Sequence, residues 1–173
     1  VTPRDNDSGA PAVIEKVHID NNDPPSVTLP DIFDEQTGDV TITYNVSDAE
    51  NDDVTLEFEY STDGGATWKK PTLATPSVKV SSASYAGTVT WRSAFDIKGL
   101  DSERVLVRAR PADNDAGEYY VSSPVHIDNN DPPTLVVSPP DGVGRDQVTV
   151  GYKVSDPEGD AVNLTCEYST DGG

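Results

Sequence analysis

Val40-Thr41-Ile42-Thr43-Tyr44-Asn45-Val46-Ser47-Asp48-Ala49-Glu50-Asn51-Asp52-Asp53-Val54-Thr55-Leu56-Glu57-Phe58-Glu59-Tyr60 is the stretch on which the fold turns. Apolar residues hold every second position on both sides of an acidic break: Val40, Ile42, Tyr44 and Val46 before it, Val54, Leu56, Phe58 and Tyr60 after it. Side chains of an extended chain alternate between two faces, so a period of two marks strands with one buried and one wet face. The break at residues 47–53 is rich in Asp and Asn, which favour turns through local hydrogen bonds. The same alternation returns at Val89 and Trp91, at Val105, Val107 and Ala109, and at Val121, Val125 and Ile127. Turn signals at Gly38-Asp39, Asp63-Gly64-Gly65, Ala86-Gly87 and Asp115-Ala116-Gly117 separate these runs. Helical spacing is nearly absent.

Working outward, the chain repeats itself. Residues 1–65 align with residues 109–173 at a constant offset of 108, without a gap, and 32 of the 65 pairs are identical. Val17 to Pro25 recurs as Val125 to Pro133, and Glu59 to Gly65 as Glu167 to Gly173. A period of 108 is the size of a domain, whereas solenoid units run about 20–50 residues. The chain therefore divides into residues 1–22, the last strand of one copy; 23–130, a complete copy; and 131–173, the opening of a third. Gly173 falls inside a motif that continues as Ala66-Thr67-Trp68 in the complete copy, so the sequence reads as a window on a longer array.

Each copy holds strands near 26–30, 39–47, 53–61, 67–71, 77–81, 87–93, 103–111 and 119–128, the fourth and fifth being either separate strands or one irregular edge. So many short strands in one domain predict an all-β fold of tandem immunoglobulin-like antiparallel sandwiches. Pro24-Pro25 and Pro132-Pro133 are stiff junctions, because proline fixes φ and donates no ladder hydrogen bond.

Immunoglobulin-like topology brings three acidic segments to one pole: the loop Ser47 to Asp53, the loop Asp113-Asn114-Asp115 and the linker Asp20-Asn21-Asn22-Asp23. Neighbouring carboxylates repel, and a hard divalent cation with six to eight oxygen ligands relieves that repulsion. The expected Ca2+ ligands are Asp20, Asn21, Asp23, Asp48, Glu50, Asp52, Asp113 and Asp115. The third copy repeats the arrangement with Asp128, Asp131, Asp156, Glu158 and Asp160, and the first keeps Asp5 and Asp7. The alternative is a set of solvated turns, since exposed acids repel weakly in salt. The spacing is not that of an EF-hand loop.

A net charge of −19, from 31 acidic and 12 basic residues, argues against nucleic acid and anionic membranes as partners. No run of 18 apolar residues is present, so no membrane insertion is expected within this segment. Cys166, the only cysteine, aligns with Phe58 and is expected to face a core.

The linker Asp-Asn-Asn-Asp-Pro-Pro resembles the inter-domain Ca2+ linker of cadherins over about six residues per copy, although the partner motifs of that family are replaced here by Asp48-x-Glu50-x-Asp52. The whole repeat is similar to fibronectin type III-like and cadherin-like modules of large bacterial and archaeal surface proteins. Val46 to Asp52, Glu59 to Trp68 and Val105 to Asp113 carry that likeness. Ser61-Thr62-Asp63-Gly64-Gly65-Ala66-Thr67-Trp68 resembles the Asp-box of sialidase propellers, which implies a folded hairpin turn and not a glycan site.

His18 and His126 alternate with apolar neighbours, which puts them on an outer strand face. No Ser-His-Asp set, phosphate loop or zinc spacing occurs, so a non-enzymatic role is expected. The sequons at Asn45 and Asn163 fall at non-equivalent repeat positions. The favoured expectation is a stalk of a secreted or cell-surface adhesin-like protein, stiffened by Ca2+, whose partners are neighbouring repeats and copies of itself in a fibre. One alternative is a spacer or carbohydrate-binding accessory module of an extracellular hydrolase, and another is a strand-exchanging filament subunit.

Overall fold

The computed structural model describes residues 1–171 except 141, 143 and 145; Gly172 and Gly173, the glycines closing the second copy of the Asp-box-like turn, lie outside the described residues. Among the described residues, ten strands and one short helix follow in order: β1 Ser26–Thr28, β2 Asp39–Ser47, β3 Val54–Ser61, β4 Val78–Val80, β5 Ala86–Arg92, α1 Ser93–Asp96, β6 Asp101–Ala112, β7 Tyr120–Val121, β8 Val125–Asp128, β9 Thr134–Ser138 and β10 Gly151–Ser155. One sheet has the order β1-β2-β5 and another β4-β3-β6-β7, with β8 also on β6; β9 and β10 pair separately. All these ladders are antiparallel.

The decisive stretch folds as its alternation requires. In β2 the residues Val40, Ile42, Tyr44 and Val46 are buried and their neighbours exposed. In β3 Val54, Leu56, Phe58 and Tyr60 are buried. Together with Val89, Trp91, Val105, Val107, Val125 and Ile127 they form one core shared by both sheets. Trp91 is fully buried and stacks on Tyr60 at 4.8 Å between centroids. Every buried hydrophobic side chain among the described residues lies between Val27 and Ile127, so the core lies within that span.

Several strand expectations need correction. Residues 67–71 form no strand, only a bridge from Lys69 to Tyr60. Pro71 lacks a donor, and Asp96 captures both the Thr72 N–H (2.7 Å) and its hydroxyl (2.6 Å). The expected strand at 77–81 is short and pairs with β3, while residues 72–74 lie along β5. The strand expected at 119–128 is split into β7 and β8, where the Ser122 hydroxyl accepts from the Val107 N–H at 3.0 Å. Helix α1 was not foreseen. Residues 12–20, which include the counterparts of β7 and β8, form no strand, and β6, the strand that β7 and β8 pair with, is flanked by β3 on one side and by β7 and β8 on the other.

The third copy reproduces the first ladder. Thr134 pairs with Ser155 as Ser26 pairs with Ser47, each residue displaced by 108. Residues 161–168 form no strand, and Cys166 is exposed instead of buried. Cys166 lines a pocket with Leu135 and Val137 of β9 and Tyr152 of β10, but this two-stranded sheet leaves it exposed, whereas its counterpart Phe58 is buried among the residues of the complete copy.

Candidate metal centre

The ladder registers place the ends of four strands together. Ser26 of β1 lies opposite Ser47 of β2, and Thr55 of β3 opposite Ala112 of β6. The linker, loop 48–53 and loop 113–116 therefore emerge at the same end.

Asp48, Asp52 and Asp113 each offer a carboxylate oxygen there, all within 4.8 Å of one another. This trio can hold a metal ion. Asp48 is 9% exposed; one of its oxygens accepts the Asp52 N–H at 2.8 Å, closing the loop on itself. The other oxygen, Oδ2, is buried without a hydrogen-bond partner. Asp113 is built alike: Oδ1 accepts the Asp115 N–H at 2.7 Å, and Oδ2 is buried without a partner. Two buried, unpartnered anionic oxygens facing a third carboxylate are costly unless a cation is present. An all-carboxylate donor set suits hard cations such as Ca2+, Mg2+ or Mn2+, not soft ones.

The linker closes this end. The Asn22 amide donates to Asp113 Oδ1 at 3.3 Å and to Asp115 Oδ2 at 3.1 Å. Glu50 Oε2 accepts the Asp23 N–H at 3.3 Å, so Glu50 and Asp23 brace the linker outside the trio. Asp20 is exposed and accepts the Asn22 N–H at 3.2 Å, while Asn21 is exposed. Asn22, not Asn21, is thus the linker amide that reaches the pole. Alternation offers that signal in the following linker, where Val125, Ile127 and Asn129, the counterpart of Asn21, are buried on one face and Asn130, the counterpart of Asn22, is exposed.

Tyr85 was also missed. Its hydroxyl donates to the Asp52 carbonyl at 2.8 Å. Burial raises its pKa above 10, and the negative field of Asp48, Asp52, Asp53 and Asp113 adds to the effect.

In the third copy the loop is closed in the same manner, the Asp160 N–H donating to Asp156 Oδ1 at 2.8 Å. The Asp131 N–H donates to Glu158 Oε2 at 3.1 Å, matching Asp23 and Glu50. Asp128 accepts the Asn130 N–H at 2.9 Å. No metal-holding trio forms there among the described residues, because residues 131–171 contain no counterpart of the Asp113 loop. Asp5 accepts the Asp7 N–H at 2.9 Å, as Asp113 does from Asp115, but both are exposed.

Two other sequence motifs are structural. Asp63 accepts the Thr67 N–H (2.9 Å), the Thr67 hydroxyl (2.6 Å) and the Ser61 hydroxyl (2.7 Å). The Thr67 and Ser61 bonds lower its pKa to about 2. Gly64 and Gly65 supply the positive φ values, 72° and 93°, that this turn requires. His126 lies between two acids, Nε2 at 2.9 Å from Asp101 and Nδ1 at 3.4 Å from Glu35. The Asp101 hydrogen bond raises its pKa.

Compared with family models, curated proteins and solved structures, the chain matches none.

Proposed function

We propose that this chain is a segment of a tandem array of immunoglobulin-like β-sandwich modules, the stalk of a secreted or cell-surface protein, with one Ca2+ held at the linker-proximal pole of each complete module. The observation that carries the reading is the trio Asp48, Asp52 and Asp113 with its two buried, unpartnered oxygens. Its location gives the cation a mechanical role. Asn22 ties the linker to Asp113 and Asp115, so neutralising the trio stiffens the joint at which one module enters the next. Water and neighbouring oxygens complete the six to eight ligands that Ca2+ takes.

The repeat supports the array. Ladder register, the Asp–Asp loop closure and the Glu clasp on the linker N–H all recur at an offset of 108 residues. A carbohydrate-binding role finds little support, because Arg108 already sits on the rings of Trp68 (4.2 Å) and Tyr119 (4.0 Å). Arg108 is held there by Glu59 at 2.6 Å. Calorimetric titration of the metal-stripped chain with Ca2+ tests the reading. One site per chain, lost in Asp113→Asn, is expected; the absence of binding heat at millimolar Ca2+ overturns it.

A further inference from the structure

The strongest feature outside the metal centre is the contact between the complete copy and the start of the next. At the end of the module opposite the trio, α1 leads through Ile97, Lys98 and Gly99 into β6. Asn129 of the outgoing linker is 8% exposed and anchors the linker to this turn. Its side chain accepts the Gly38 N–H at 2.8 Å and donates to the Ser93 hydroxyl at 3.1 Å. Its backbone accepts from the Gly99 N–H (3.1 Å) and donates to the Leu100 carbonyl (2.8 Å). The direction in which the chain leaves the module is thereby fixed.

Lys98 then reaches across the junction. Its ammonium donates to the carbonyls of Glu158 (3.1 Å) and Pro157 (3.4 Å), in the acidic loop of the third copy. Gly99, at φ 70°, packs beside the same loop: a Cβ built on it falls 3.5 Å from Asp160 Oδ2 and 3.8 Å from the Glu158 Cγ. From the other side, Glu158 Oε2 holds the Asp131 N–H. The loop is gripped both by the linker and by the preceding module.

We infer that the Lys98-Gly99 turn of each module is a docking surface for the loop equivalent to 156–160 in the next copy, and that Lys98 is the positioning residue that sets the angle between successive modules. The occupant is the following repeat of the same chain. The chemistry is specific: the ammonium is a fixed positive charge presented to carbonyls beside Asp156, Glu158 and Asp160 in a strongly acidic chain. Lys98 is exposed and outside the core, so replacing it spares the module itself. This docking needs no metal and stands apart from the Ca2+ reading. It also pre-orders the loop whose counterpart, 48–52, supplies two members of the trio.

The test is an amide spectrum of the full 173-residue chain in EDTA, with Lys98→Ala and Lys98→Arg beside wild type. Loss of docking in Lys98→Ala shifts the Glu158, Gly159 and Asp160 resonances and lowers their heteronuclear NOEs, while core amides and melting stay unchanged. Lys98→Arg, which keeps the donors, restores the wild-type pattern. Unchanged 158–160 resonances in Lys98→Ala, or loops equally mobile in all three proteins, overturn the inference. Working without metal separates this outcome from a failure of Ca2+ binding.

Discussion

Asp48→Asn is the most instructive perturbation, because its effect should change sign with calcium. The substitution keeps Oδ1, which holds the Asp52 N–H, and replaces the unpartnered Oδ2 with an amide donor beside the Asp113 carboxylate. It removes two like-charge pairs, each no farther apart than 4.8 Å. At that separation a pair costs about 0.9 kcal/mol in water and about 3.5 kcal/mol at an effective dielectric of 20. The watery limit is the safer figure, because solvent reaches the pole at Asp52. Two pairs then give about 2 kcal/mol of stabilisation in EDTA, an upward shift of about 8 °C or more for a domain of this size. In Ca2+ the order reverses, since a lost anionic ligand weakens the site by about tenfold or more. Thermal melts of both proteins, with EDTA and with about 10 mM Ca2+, read the crossing directly. An Asp48→Asn protein that melts below wild type in EDTA, or that gains as much from Ca2+, would refute the reasoning.

Two further outcomes follow from the same physical arguments. Asp96→Ala orphans the Trp91 indole N–H, which is buried and bonded at 2.7 Å, so chemical denaturation should show a loss of about 1–3 kcal/mol, and retention of wild-type stability would remove Asp96 from its bracing role. Asp63 has a folded pKa of about 2, below the ordinary value of 3.8, so its contribution is present above pH 3.8 and lost as pH falls towards about 2. The acid limb of the stability profile in that window should flatten in Asp63→Asn, and an unchanged slope would count against the turn's role.

The strands were legible because burial on one face of a sheet imposes a period of two, and Val40 to Tyr60 states it without interruption. The convergence of loops 48–53 and 113–116 with the linker followed from topology. Details that depend on single hydrogen bonds were not legible. Nothing in residues 67–71 announces that Asp96, 24 positions beyond Thr72, takes the donors a strand would have used. The bonds of the Asn22 amide to the pole were not legible for a different reason: turn composition does not say which of Asn21 and Asn22 reaches it, whereas continuing the alternation past Ile127 to the buried Asn129, the counterpart of Asn21, favours Asn22. Cys166 was expected inside because its position in the repeat is inside, but a burial pattern is realised only where enough strands are present to cover it, and only the two-stranded sheet of β9 and β10 lies beside Cys166 among the described residues.

The most direct test of the account is the melting temperature of the wild-type chain in EDTA, in about 10 mM Mg2+ and in about 10 mM Ca2+. Extracellular Ca2+ modules bind at roughly 10⁻⁴ to 10⁻³ M. Such an excess contributes about 1.4–2.7 kcal/mol through linkage, equivalent to roughly 6 °C or more. A rise of that size with Ca2+, and a much smaller one with Mg2+, is the predicted result. An identical midpoint in all three solutions would contradict the account and leave the acidic pole as a set of solvated turns.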